Sequence, residues 1–327
     1  MSLVIIFAWQ MMQSAEKTDN EHNHTLTHCR ACQCLMTNPE IGNYYICASC
    51  NSANYISHGS AEIDNTTYYN SIYSHCTRQT IERRRKAFVR FERVYLRLHR
   101  KQVHRFQLTL DRICKTICTA ATSVEIGFGY GHELIHFLNK GANIYGIDLS
   151  TEAVSTFKEQ HPEFSKKVYC TASLDFQVDA LYSNALFEHL DHPNTFLRRA
   201  FAKLTPGGTL IMRLPLITVG HYTHHDISFD INFWKPCHRV LYTLKGLKML
   251  LESHGFTIVE SAAYAYYGYN VMSSMLKHGY RDVTHIRDPC LPILRLDSEW
   301  TYKTILLQSL LTRTICSDFA LIANKTR

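Results

Sequence analysis

The stretch from Val124 to Ser150, VEIGFGYGHELIHFLNKGANIYGIDLS, restricts the fold of this 327-residue chain more than any other. The β-branched run SVEI ends at Gly127, and Leu134, Ile135 and Leu138 then share one face of a helix that Gly141 stops. A second strand, NIYGID, ends at Asp148, and Ser150 or Thr151 caps a further helix bearing Ala153, Val154 and Phe157. Strand, glycine loop, helix, strand and helix make a βαβ unit, which predicts an α/β chain with a parallel, doubly wound, Rossmann-like sheet. Glycines at 127, 129 and 131 let the backbone approach a ligand closely, and an aspartate 21 residues after the first can take both hydroxyls of a ribose. A dinucleotide loop has the pattern G-x-G-x-x-G, and His132 stands where its third glycine would be, which disfavours hydride transfer.

The rest of the chain continues the alternation. KKVYCTAS reads as a third strand and a fourth starts near Ala180; EHLDHP connects it to a helix striped by Phe196, Leu197, Ala200, Phe201 and Leu204. Pro206, Gly207 and Gly208 predict a turn into the apolar strand TLIMRL. A helix capped by Thr243 and stopped by Gly255 leads into a sixth strand, and DFALIANK closes the chain as a seventh.

EIGFGYG, FEHLDHP and LTPGG, in this order and spacing, resemble motifs of the class I S-adenosylmethionine-dependent methyltransferases. The resemblance runs from about residue 121 to 265 and resumes near 316. The segment from Phe233 to Glu260 is similar to the subgroup acting on small molecules and on sugar or lipid precursors. The resemblance implies a seven-stranded sheet with an antiparallel last strand and S-adenosylmethionine as cofactor. Glu125 would lie near the methionine amino group, Gly127, Gly129 and Gly131 would pass under the cofactor, Asp148 would hold the ribose, and Leu149, Ser173 and Asn184 would line the same site. Family members carry an acidic residue at the end of the third strand for adenine; this chain has Thr171, Ala172, Ser173 and Leu174 there, with Asp175 as a fallback, so backbone and apolar contacts would hold the base.

Ahead of this domain, Cys29 and Cys32 form one Cys-x-x-Cys pair and Cys47 and Cys50 another, with 14 residues between the pairs. Two such turns can close a tetrahedral site with no open position, which predicts a structural zinc in a ribbon-like module, with Cys34 as a substitute ligand. The net charge of +7 is concentrated: 11 Lys or Arg against two Glu between Arg78 and Arg105 give +9, leaving about −2 elsewhere. Phe88, Phe91, Tyr95, Leu98 and Phe106 recur among these arginines at helical spacing, as expected of a basic amphipathic helix covering a flank of the core. The apolar start MSLVIIFAWQMM is too short to span a bilayer and lacks a basic flank or a cleavage site, and twelve cysteines in a chain of this size fit a reducing compartment, the cytoplasm. The expected division is a tail at 1–28, the cysteine module at 29–60, a basic helical linker at 61–118 and the methyltransferase domain at 119–327 with an insertion at about 266–314.

A sulfonium methyl is already electrophilic, so alignment can carry much of catalysis, and a hydroxyl acceptor adds the need for a base. His189, just past the fourth strand, and His221 and His238 in the segment after the fifth are the catalytic candidates, because loops at the carboxyl ends of parallel strands face the ligand. His224, His225 and Asp226 share that segment. A cysteine ribbon before such a domain also resembles nucleotide-sugar C-methyltransferases, but those carry a further large C-terminal domain. The expected acceptor is a small molecule, sugar or envelope precursor, methylated on oxygen. One alternative is an RNA-modifying enzyme that binds nucleic acid through its ribbon and basic segment; another is a non-catalytic scaffold.

Overall fold

The computed structural model describes residues 28–36, 40–41, 44–55, 100–171, 175–217, 238–265 and 317–326. The first of these form a small cysteine head with three short strands, β1 (Glu40–Ile41), β2 (Tyr44–Ile46) and β3 (Ala53–Tyr55), paired antiparallel in that order. Helix α1 (Arg100–Thr119) follows. It buries Phe106, Thr109, Ile113 and Ile117, one stripe at three- and four-residue steps, and leaves His104, Arg105 and Arg112 exposed. Thr109 Oγ1 and Arg112 donate to the two oxygens of Glu260, pinning the helix across the sheet. Of the expected basic helix only the part from Arg100 onward is described, and there it covers a flank of the sheet as far as Thr119; the segment 78–99, with most of the positive charge, lies outside the described residues.

The main sheet is built from β4 (Ser123–Ile126), helix α2 (His132–Asn139), β5 (Ile144–Asp148), helix α3 (Thr151–Gln160), β6 (Val168–Cys170), β7 (Val178–Asn184), helix α4 (Pro193–Lys203) and β8 (Leu204–Leu216). Then come β9 (Val240–Leu241), helix α5 (Leu244–Ser253), β10 (Phe256–Ala265) and β11 (Ser317–Lys325). Seven strands lie in the order β10-β11-β8-β7-β4-β5-β6, and β11 is antiparallel to both neighbours while β4 to β8 run parallel. That is the expected doubly wound sheet with a reversed last strand. The order reverses between β4 and β7, and the crevice outside their carboxyl ends is where such sheets take ligands.

Local chemistry sets the ends of these elements. Ser150 caps α3 by accepting from Ala153 N, and Thr243 caps α5 in the same way, its Oγ1 accepting from Gly246 N. Gly141 and Gly255, with φ of 81° and 79°, end α2 and α5 in the left-handed region. Ahead of β5, the Asn143 side chain ties neighbouring segments together by donating to Ala121 O and accepting from Lys167 Nζ. One boundary differs from expectation. The Pro206–Gly208 stretch is not a turn before the strand but a bulge inside β8: Leu204 already pairs with Val178, and Ala180 next pairs with Thr209. Thr205 Oγ1 holds the bulge by donating to Asp179.

The head does not stand apart from this sheet. Strand β3 pairs antiparallel with β9, Ala53 opposite Leu241 and Asn54 opposite Val240, so β9 completes a four-stranded sheet with the head. Cys29, Cys47 and Cys50 share one buried cluster with Val240, Tyr242, Leu247 and Leu250. Ser52 and Thr243 are hydrogen-bonded, Thr243 Oγ1 donates to Cys50 O, and a Cβ added at Gly246 would overlap Ser52 Oγ. Only glycine at that point of α5 lets the head come so close.

Candidate active site and cysteine centre

The loop after β4 takes its shape from Gly127, Gly129 and Gly131, with φ of 71°, 54° and 72°. A side chain at Gly131 would also run into the Phe157 ring, so its glycine is required twice over. Asp148, at the end of β5, clasps this loop: one carboxylate oxygen accepts from Gly129 N at 2.9 Å and the other from Ser150 N at 2.8 Å. Burial pushes the Asp148 carboxyl up, and these backbone donors oppose the shift. Each oxygen keeps a lone pair for a hydroxyl. Leu149 beside it is 47% exposed, an apolar surface at the same edge.

Glu125, inside β4, is 2% exposed, and its Oε2 has no hydrogen-bond partner among the described residues. Burial, and after it the neighbouring Glu133 carboxylate, holds the Glu125 carboxyl well above the usual glutamate range against the pull of Arg213. An orphaned carboxylate this deep calls for a cationic or hydrogen-donating ligand group.

Asn184, expected to line the cofactor, joins a side-chain network. Glu133, in the first turn of α2, accepts from Arg213 at 2.6 Å, from Tyr182 OH at 3.0 Å and from Asn184 Nδ2 at 3.4 Å. Neither Glu133, Tyr182 nor Arg213 stood out in the sequence. The one available signal was a charged residue in the otherwise apolar strand TLIMRL. Ser173 and His221 lie outside the described residues, and Asp175 is exposed in a bend beyond β6.

At the carboxyl end of β7 the chain turns through Ala185, a non-glycine residue at φ 50°. Leu186 then closes over the glycine loop: a Cβ added at Gly127 would sit 3.0 Å from its Cδ1. A 3-10 turn, Phe187–His189, sets Glu188 and His189 next to each other, and His238 arrives ahead of β9. The rings of His189 and His238 have centroids 4.7 Å apart, and His189 Nε2 is 3.7 Å from Glu188 Oε1. The structure therefore brings two of the three catalytic candidates together and adds Glu188. The head contributes as well: Tyr44 OH donates to His238 O at 2.9 Å, while Arg30 donates to Asp191 O and Tyr55 O.

In the head, Cys29 Sγ lies 3.7 Å from Cys50 Sγ and Cys32 Sγ 3.5 Å from Cys47 Sγ, and all four sulfurs fall within 4.8 Å of one another. With metal–sulfur bonds of about 2.3 Å, the edge of a ZnS4 tetrahedron is about 3.8 Å, so the set fits one tetrahedral ion. Cys34 is not in the group. The two turns are alike: Gln33 N donates to Cys29 O and Asn51 N to Cys47 O, with Gln33 and Asn51 at φ of 61° and 60°. Ala31 N and Asn54 Nδ2 point at Cys29 Sγ.

A seven-stranded sheet with one reversed strand, a left-handed glycine loop and a carboxylate clasping it define a class I S-adenosylmethionine-dependent methyltransferase domain. Residues 96–261 match the family described as "Methyltransferase domain", and the chain belongs to that family. A curated relative, trans-aconitate 2-methyltransferase of Delftia acidovorans, is 30% identical over 129 residues, 37% of this chain and 47% of that protein. The chain thus spans about half the length of the curated relative it matches. Among solved structures, the cyclopropane synthase MmaA2 from Mycobacterium tuberculosis is 16% identical with a TM-score of 0.44, covering 66% of this chain and 84% of that one. Haemonchus contortus phosphoethanolamine N-methyltransferase 2 is 16% identical with a TM-score of 0.45, covering 67% and 52%. No helix among the described residues is long and apolar enough to cross a membrane.

Proposed function

We propose that the protein methylates an oxygen of a small-molecule, sugar or envelope-precursor acceptor. The observation that carries this reading is the pairing of the orphaned Glu125 oxygen with the Asp148-clasped glycine loop, which fits a ligand bearing a ribose at one end and an ammonium at the other. Asp148 would accept from the ribose hydroxyls, Leu149 would cover the adenine, and Glu125 would face the α-ammonium. Bound there, S-adenosylmethionine supplies a methyl group that leaves sulfur as the C–S bond breaks and joins the acceptor as an O–C bond forms. His189, in the turn beyond the carboxyl end of β7, and His238, whose ring lies against it, would activate the acceptor oxygen, whose proton is lost to solvent. A curated relative named for trans-aconitate supports a small acceptor.

The cysteine head would hold a structural zinc, since four thiolates leave no open position for a substrate. Unpaired cysteines throughout the described residues favour a reducing compartment, the cytoplasm. We keep the division into a head at 29–60 and a catalytic domain at 119–327, with 266–314 as an insertion. Calorimetric titration of the full chain with S-adenosylmethionine, with NAD as control, tests the cofactor site. Saturable binding of the former alone is expected, and binding of neither by folded protein would leave only a scaffold.

A further inference from the structure

Glu188, His189 and His238 bring one carboxylate and two imidazoles to the rim of the cofactor crevice, with one donor atom from each lying within 4.8 Å of the others. Two of the three are buried almost completely, Glu188 at 1% and His238 at 2% exposure, and the His189 side chain is 12% exposed. A solvated surface pair would not be held this way. Nearby, Arg239 meets Asp191 at 3.1 Å and stacks over the Tyr55 ring, and Arg30 reaches the Asp191 and Tyr55 carbonyls. The Nε2 of His189 lies 3.7 Å from Glu188 Oε1.

Three backbone features fix the set. The left-handed Ala185 swings the chain out of β7, the 3-10 turn places Glu188 and His189 in succession, and Arg239 N donates to Glu188 O at 2.7 Å, tying the turn to the residue after His238. Tyr44 of the head holds the His238 carbonyl from the other side. Donor groups anchored through their own backbones on two segments are the preorganisation that a metal site needs.

We propose that Glu188, His189 and His238 form a divalent-cation site, separate from the cysteine centre, that binds the acceptor through its oxygens. Two imidazoles and one carboxylate on one side of an ion suit Mn2+, Fe2+, Co2+ or Zn2+ and leave the remaining positions open. Octahedral bonds of about 2.1 Å put neighbouring donors about 3 Å apart and opposite ones about 4.2 Å, so donors within 4.8 Å close on an ion with small side-chain movements. The role of this ion rests on the methyltransferase reading, whereas its binding does not. With Leu186 lying over Gly127, an ion here borders the cofactor site, and an acceptor with two adjacent oxygens, such as a vicinal diol or a hydroxy acid, would chelate it. The ion would lower the pKa of the chelated hydroxyl, which then loses its proton to water. His189 and His238 thus activate the acceptor oxygen through the ion that they hold.

The test is titration with Mn2+ of the full chain holding no more than one zinc, bound by the four cysteines, after excess zinc has been removed, followed by the electron paramagnetic resonance of the free ion. Mn2+ has little preference for thiolate, so the cysteine centre does not compete. One bound ion per chain is expected, weakened at least tenfold in His189→Gln and in Glu188→Gln, with thermal unfolding checked for each variant and His238→Gln as a third measurement. Absence of Mn2+ binding by the wild type, or wild-type binding by folded His189→Gln, would overturn the proposal. S-adenosylmethionine affinity is measured in the same samples without Mn2+: its absence in the wild type defeats the cofactor reading, and its presence beside absent Mn2+ binding defeats only the cation site.

Discussion

The two halves of the crevice are assembled differently. On the side of β4 and β5, Asp148, Gly129 and Ser150 meet through backbone donors within a stretch of 22 residues, from 129 to 150. On the side of β7 and β8, Glu133 bonds to Arg213, and Glu188 lies beside His238, with the latter held from Tyr44 across 194 positions. The side of β4 and β5 is therefore a local structure that one supersecondary unit can specify. The side of β7 and β8 exists only once the whole domain and the head have closed around it.

That contrast can be broken by substitution. Asp148→Ala removes a carboxylate placed for two hydroxyls, and charge-assisted hydrogen bonds of about 1.5 kcal/mol each predict about 100-fold weaker S-adenosylmethionine binding. Calorimetry checks this, and any metal held by the four cysteines should be retained. Unchanged affinity would remove Asp148 from the cofactor site. Gly246→Ala pushes a methyl group into Ser52 Oγ and toward Cys50, and overpacking of this kind costs about 1–3 kcal/mol. The thermal midpoint should fall by several degrees while cofactor affinity holds; equal losses of affinity in the two variants would show that the halves are not separable.

Glu125 gives a smaller, pH-dependent signature. Its carboxyl is held above the ordinary glutamate value in the folded protein, so its contribution to stability is full below that value and is lost as pH rises through the raised one. A cationic ligand group reverses the preference and expels the proton. Between the two values, S-adenosylmethionine binding should release up to about one proton, seen as a dependence of binding heat on buffer ionisation, and Glu125→Gln should abolish the release. Smallest of all is Arg112→Ala on the outer face of α1. Its ion pair with Glu260 has a guanidinium 66% exposed, and such a pair contributes less than about 1 kcal/mol, so the thermal midpoint should move by no more than a few degrees.

The same division governs what could be read from the residues alone. The glycine loop, Asp148, the Ser150 and Thr243 caps and the strand sequence were legible because each signal lies within a few positions of the structure it makes. The cysteine pairs were legible for the same reason, although setting Cys34 aside took the geometry of the four sulfurs. The Glu133 network was not, since Tyr182, Asn184 and Arg213 come to one carboxylate only through the pairing of β7 with β8. Nor was the partnership of Glu188 with His238, or the seating of the head on β9, because neither has a local pattern. Among nineteen histidines, His189 and His238 were marked only by following a strand, and their convergence came from topology.

The pairing of β3 with β9 also bears on how the chain is made. Ser52 and Thr243 are 191 positions apart, so during synthesis at about 5–20 residues per second the head waits about 10–40 seconds for its partner strand to be translated. Through that interval its thiols are without the cover of Val240, Tyr242 and Leu247. A metal ion captured by the nascent cysteines would protect them from oxidation and hold the two knuckle turns ready for docking. Metal supply during translation would then set the yield of active protein.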